Sequence, residues 1–266
     1  MTQLVPLLLS IALLFSRPAV AADRTLAAEG DYVAQKDRNK LLAHWKLWHL
    51  RNGEYEVVES LAGPTYVVQV FHFDAQFLPN GFSLTIDPGR KRPKALRSKV
   101  PFASPTTIVS CRYDVKYLSC DSKNNGKALT TSIPAKQPYV FVPGEFYALD
   151  QLWWMTGIVR LTGRNHSEDN AVNVYIMLDN KIQAGRPIQL TYADKQTARV
   201  MDKAQPVTEY EVWNGGSEPG AWVLSELSVL QVTSQGVVAS VRGKSNPELG
   251  FAISNYKEYE SWLPPR

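Results

Sequence analysis

Apolar and polar residues alternate with a period of two along much of the chain, in short runs separated by turn residues. That period sends successive side chains to opposite faces of an extended strand. The clearest runs flank two Asn-Gly pairs, Asn52-Gly53 and Asn80-Gly81. Asn-Gly between alternating runs signals a tight hairpin, because both residues tolerate the positive φ of a type I′ turn. With Asn52-Gly53 as the loop, Trp48 faces Val57, Leu50 faces Tyr55, and Lys46 faces Glu59 as an ion pair. Trp45 and Leu47 then share the other side with Val58. With Asn80-Gly81 as the loop, Phe77 faces Leu84 and Ala75 faces Ile86. Phe71, Phe73, Ala75, Phe77, Phe82, Leu84 and Ile86 form one apolar wall, and Asp74, Gln76 and Thr85 lie behind it.

A third hairpin is expected around Val115-Lys116. It sets Asp114 against Tyr117, Arg112 against Ser119 and Cys111 against Cys120. The cysteines meet at a non-hydrogen-bonded position, where strands approach closely enough for a disulfide. Free thiols or a redox pair are the alternatives, although the spacing is not CxxC. Further strands are expected at Val172–Leu178, Ile188–Tyr192, Thr197–Asp202, Thr208–Trp213 and Val223–Val232, then at Val237–Val241 and Phe251–Asn255.

Phe146–Leu161 breaks the pattern. It is apolar nearly all round, includes Trp153 and Trp154, and follows Pro143-Gly144-Glu145. This is the signature of a helix buried on most sides. Its length, with Asp150 and Arg160 inside it, does not suit a membrane span. The expected fold is therefore mainly β: a curved antiparallel sheet or half-open β-barrel in meander order, with a central packed α-helix.

At the N-terminus, Leu4–Phe15 is uncharged and is followed by Arg17-Pro18 and the small-x-small run Ala19-Val20-Ala21. Residues 1–21 thus read as a signal peptide cleaved near Ala21, although Met1-Thr2-Gln3 has no basic side chain. Residues 22–266 form a single secreted β-rich domain, large enough to build a core, with no transmembrane segment. A periplasmic or secreted location would permit the disulfide.

Loss of Arg17 leaves 28 basic against 25 acidic residues, a balance that does not point to nucleic acid. Basic charge is concentrated in the loop Pro88–Lys99, at Arg90, Lys91, Arg92, Lys94, Arg97 and Lys99. No aromatic residue interleaves them, unlike a single-strand binding site. The loop is either simply solvated or attracts anionic lipid headgroups, with Arg90, Lys91, Arg92 and Lys94 as the contacts.

No GxSxG, HExxH, P-loop or dinucleotide fingerprint is present, so no catalytic residue and no cofactor is assigned. His44 and His49 are an odd number of residues apart on one strand and face opposite ways. His72 lies behind the wall and His166 in a polar loop, so no metal site is expected. Asp150, an acid in an apolar helix, or a loop carboxylate is the candidate for an unrecognised hydrolase.

The chain leads from Leu42-Ala43-His44-Trp45-Lys46-Leu47 into Asn52-Gly53-Glu54-Tyr55-Glu56-Val57, then through the basic loop to Ala148-Leu149-Asp150-Gln151-Leu152-Trp153-Trp154 and a strand-rich C-terminal half. Over roughly residues 30 to 260, this order of elements resembles a group of uncharacterised bacterial periplasmic proteins similar in fold to the lipoprotein carriers of the Lol system. The resemblance implies a curved sheet wrapped around helical plugs, enclosing an apolar cavity for acyl chains or a similar hydrophobic molecule. On this reading the chain is an exported, non-enzymatic β protein. It binds a lipid-like ligand against Phe71, Phe73, Phe77, Phe82, Leu84, Ile86, Trp153 and Trp154. The alternative is a structural or interaction protein with a filled core and sheet edges offered to an envelope partner.

Overall fold

The computed structural model describes residues 23–63, 66–87, 108–124, 127–137, 139–142, 153, 171–178, 181–185, 187–200, 203–214, 228–234, 236–243 and 250–262. Sixteen strands make up nearly all of it. The first eight are β1 (Arg24–Ala34), β2 (Leu41–Leu50), β3 (Tyr55–Leu61), β4 (Tyr66–Phe73), β5 (Pro79–Asp87), β6 (Ile108–Asp114), β7 (Tyr117–Asn124) and β8 (Lys127–Pro134). The others are β9 (Tyr139–Val142), β10 (Ala171–Leu178), β11 (Lys181–Ala184), β12 (Ile188–Val200), β13 (Lys203–Asn214), β14 (Ser228–Thr233), β15 (Val238–Gly243) and β16 (Gly250–Glu258).

They form one curved sheet in the order β11-β10-β12-β13-β14-β15-β16-β1-β2-β3-β4-β5-β6-β7-β8. The first and last described strands meet in its middle, where β1 pairs with β16 on one side and β2 on the other. Among the described residues every ladder is antiparallel except β9 with β10. The edge strands β8 and β11 come within 8 Å of each other, yet among the described residues no ladder joins them and the sheet is open. The mainly β, curved antiparallel sheet matches the sequence reading. Among the strand expectations, β12 is continuous where two short strands are expected, and β9 and β11 are additional. No helical element occurs among the described residues. The expected helix Phe146–Leu161 lies outside them apart from Trp153, as do residues 1–21, Asp150, Trp154, Arg90, Lys91, Arg92 and Lys94.

The first hairpin forms in a register one residue away from the expected one. Trp45 faces Glu59, Leu47 faces Val57 and His49 faces Tyr55. The cause is the turn, which uses three residues rather than two. The Leu50 N–H donates to the Glu54 carbonyl (2.9 Å) and the Gly53 N–H to the Leu50 carbonyl (3.0 Å). Gly53 alone supplies the positive φ, at 88°. The Asn52 side chain instead accepts from the Glu54 N–H (3.1 Å) and donates to the Glu54 carboxylate (2.8 Å). A one-residue slip exchanges the faces of a strand. Glu59 therefore moves from a surface ion pair to the inner face, and Lys46 pairs with Glu29 (3.8 Å).

In the second hairpin Asn80-Gly81 is not the turn but part of β5. The chain reverses at Asp74–Leu78. The Asp74 carboxylate accepts from the N–H groups of Gln76 (2.8 Å) and Leu78 (2.9 Å), and the Asp74 carbonyl from the Phe77 N–H (2.9 Å). Such local carboxylate bonds compete effectively with Asn-Gly as a turn former. Phe77 takes φ +65°, which costs a β-carbon-bearing residue about 1–2 kcal/mol. Its ring stacks on Phe73 at 4.3 Å and lies against Trp262 at 5.1 Å, burial worth a further ~2–3 kcal/mol in the opposite direction. Phe71 now faces Phe82, and Val67 faces Ile86. The displacement is an even number of residues, so the faces survive and Phe71, Phe73, Phe77, Phe82 and Leu84 are all buried. Ala75 leaves the wall for solvent.

The third hairpin has the expected register, from Asp114 facing Tyr117 to Cys111 facing Cys120. The cysteines are disulfide-bonded with their Cα atoms 4.0 Å apart. The bridge closes a short loop, with a sequence separation of 9. Replacing both cysteines by Ser should lower stability by about 3 kcal/mol. A urea midpoint equal to that of the parent protein would contradict this.

Candidate functional site

The pairing registers place one residue from each of β1 to β8 in rungs that cross the sheet. One rung runs Ala28, Leu47, Val57, Phe71, Phe82, Cys111, Cys120 and Thr131. It is apolar as far as the disulfide. Four residues along each strand, a rung runs Tyr32, Ala43, Leu61, Val67 and Ile86. Between them lies Gly30, Trp45, Glu59, Gln69, Leu84, Val109, Ser122 and Leu129. Two strongly polar side chains thus sit side by side, flanked by apolar rungs above and below.

Glu59 and Gln69 are both 0 % exposed. Neither carboxylate oxygen of Glu59 and neither amide atom of Gln69 has a hydrogen-bond partner among the described residues. The two residues face each other across β3 and β4, yet do not bond to each other. The same holds for the indole N–H groups of Trp45 and Trp153. A buried polar group left without a partner costs about 1–3 kcal/mol, and native folds contain few of them. Burial pushes the Glu59 carboxyl up to about 8, because desolvation penalises its charged form. The Tyr32 phenol is also pushed well up, first by burial and then by the negative charges of Glu59 and Tyr256.

Aromatic rings enclose this rung. The Trp45 indole meets Trp153 edge-on at 4.8 Å and Tyr256 at 5.9 Å. It packs against Gly30, where a Cβ would stand 2.7 Å from its Cζ2. The tail beyond β16 closes one end. The Tyr259 N–H donates to the Ala27 carbonyl (2.8 Å), and Trp262 turns inward to donate its indole N–H to the Tyr256 hydroxyl (3.3 Å).

A second buried acid shows how this fold ordinarily holds one. Glu209 accepts from the Gln231 amide (2.8 Å) and the Arg242 guanidinium (3.1 Å), while the Ser240 hydroxyl donates to Gln231 (2.7 Å). That network is satisfied. Glu59 and Gln69, on the other half of the sheet, form no such network.

Of the expected site residues, Phe71, Phe73, Phe77, Phe82, Leu84 and Trp153 are buried together in one core. Ile86 lies in β5 opposite Val67, but its side chain falls outside the described residues. So do Trp154 and the headgroup candidates Arg90, Lys91, Arg92 and Lys94. Glu59, Gln69, Trp45 and Trp262 are the residues that sequence reasoning missed. A signal for two of them exists in the alternation Tyr55-x-Val57-x-Glu59 and Val67-x-Gln69-x-Phe71-x-Phe73. Both polar residues hold the parity of a buried face.

The outer face carries the charge. Asp31 binds His44 (2.6 Å) and Asn255 (2.7 Å), Glu56 pairs with Arg24 and with His72 (3.9 Å), and Arg24 covers the Trp48 ring at 4.4 Å. Such solvent-facing pairs contribute at most about 1 kcal/mol each. His49 points the other way from His44, stacking on Tyr55 at 4.8 Å. Among the described residues, no group of His, Cys, Asp and Glu could hold a metal ion, and no helix is long and apolar enough to cross a membrane. No family model matches the chain, and neither a curated protein nor a solved structure matches it.

Proposed function

We propose that the protein binds a hydrophobic or amphipathic small molecule against the inner face of its curved, half-open sheet, in the periplasm or outside the cell. The observation that carries this reading is the pairing of an aromatic inner face with two buried polar side chains that have no partners among the described residues. An apolar body would replace ring contacts, and a polar end would supply the missing hydrogen bonds. The disulfide is compatible with export to an oxidising compartment after cleavage near Ala21. Arg90, Lys91, Arg92 and Lys94 would guide the protein to anionic headgroups. The role is binding rather than catalysis.

The test is native mass spectrometry of delipidated protein mixed with fatty acids, fatty alcohols and phospholipids, followed by tryptophan fluorescence, since Trp45 and Trp153 lie at the site. A stoichiometric adduct that perturbs the emission is expected. Failure to take up any of these molecules overturns the proposal. The second reading, an interaction protein with a filled core, is favoured by the closeness of the wall itself, where Phe73 and Phe77 stack at 4.3 Å and 9°. It predicts no uptake, together with a specific partner recovered from envelope extracts.

A further inference from the structure

We propose that Glu59 and Gln69 are the polar end of that site and select an uncharged hydrogen-bonding head group, a hydroxyl or a carboxamide, over a carboxylate. The inference rests on the binding role proposed above and names the chemistry that the site would accept.

Three observations lead to it. Glu59 and Gln69 sit opposite each other on β3 and β4, between two rungs that are apolar on these strands, and leave four polar atoms without partners among the described residues. An amide head group can both donate to and accept from such a pair, and a hydroxyl can do the same at a single atom. Next, no Lys, Arg or His is buried among the described residues, and His49, on the same face beside Tyr55, is partly exposed, so the described residues offer no buried counter-charge to an anion. A carboxylate placed beside the protonated Glu59 would be desolvated without a buried counter-charge, which penalises its ionised form. Finally, desolvation favours the protonated form of Glu59 near neutral pH, in which it is a donor as well as an acceptor.

The satisfied network around Glu209 supplies the contrast. There Arg242 compensates the acid, and Glu209 Oε1 accepts hydrogen bonds from side chains of β14 and β15. Both Glu59 and Gln69 are closed off from solvent, so any head group reaches them by displacing side chains of the inner face. That displacement is common to ligands with one chain and different heads, and a difference between heads therefore reports on the polar pair.

The experiment compares lauramide, lauryl alcohol, laurate and laurylamine, titrated at neutral pH into the delipidated full chain and followed by tryptophan fluorescence. Lauramide and lauryl alcohol should bind about tenfold more tightly than laurate or laurylamine, the discrimination expected from one buried hydrogen bond. Glu59→Leu and Gln69→Leu should reduce that preference severalfold while still binding the chain, and Glu59→Gln, which stays neutral and hydrogen-bonding, should keep it. Equal affinity for all four heads, tightest binding of laurate or laurylamine, or a preference untouched by Glu59→Leu and Gln69→Leu overturns this inference and leaves the binding role standing. Uptake of none of the four overturns both. If Glu59→Leu does not fold, the Gln69→Leu and Glu59→Gln pair decides the matter by the same comparison.

Discussion

Glu59→Gln should abolish most of the loss of stability that the parent protein suffers between about pH 5 and pH 9. The Glu59 carboxyl titrates from about 4.5 when exposed and is pushed up to about 8 by burial. Below the lower value the acid is protonated whether the chain is folded or not, and burial adds no ionic penalty. Between the two values the unfolded chain releases a proton that the folded chain retains, so stability falls as pH rises. Above the higher value the penalty is complete, and the separation corresponds to roughly 5 kcal/mol as an upper figure. A neutral Gln carries none of it. Urea midpoints of the two proteins should therefore be similar at the acid end and diverge steadily toward alkaline pH, with the variant the more stable. Parallel pH profiles would show that Glu59 is not the desolvated acid described above. The outer-face acids act differently. Glu29, for example, is partly buried and is held below the usual carboxylate range first by its hydrogen bond from Tyr259.

Gly250→Ala should be among the most damaging single substitutions in the chain, with a loss of about 3 kcal/mol or more. Gly250 begins β16 with φ +152°, and a Cβ there would stand 2.0 Å from the Val241 carbonyl oxygen and 2.9 Å from its carbon. These are backbone atoms of the neighbouring strand, which no rotamer change can move aside. The Gly250 carbonyl also accepts the Gln35 N–H (2.9 Å), tying this strand to the turn that follows β1. The seam between β16 and β1 is where the two halves of the sheet join, so a shift there is not confined to a loop. Gly63→Ala is the matched control. Nothing lies within 4 Å of a Cβ at that position, and the change should be neutral or stabilise by up to about 1 kcal/mol. Equal urea midpoints for the two variants would contradict the steric argument.

Alternation and turn residues made the strands and the sense of the sheet legible, because both are local properties. In the cysteine hairpin even the register was readable, since Val115-Lys116 is the true two-residue turn and every facing pair follows by counting outward. The Phe71 to Leu84 wall was readable for a different reason. Its turn was misplaced to Asn80-Gly81, but by an even number of positions, and parity alone decides which face a side chain occupies. The first hairpin shows the opposite case. One extra loop residue changed the parity, and with it Glu59 passed from an expected surface ion pair with Lys46 to the buried rung beside Gln69.

By itself, then, the sequence determined a mainly β chain, its hairpins, its disulfide and the apolar character of the inner wall, because period-two patterning and nearest-neighbour pairing act over a few residues. The tertiary structure decided what patterning cannot specify. It determined whether a turn takes two residues or three and whether Asp74 or Asn80-Gly81 reverses the chain. It also paired β1 with a strand more than two hundred residues away and brought Trp262 back against Phe77. Those choices depend on side chains meeting across the sheet, where the burial of a ring outweighs a strained turn and a single step in register decides whether an acid meets water or an apolar core.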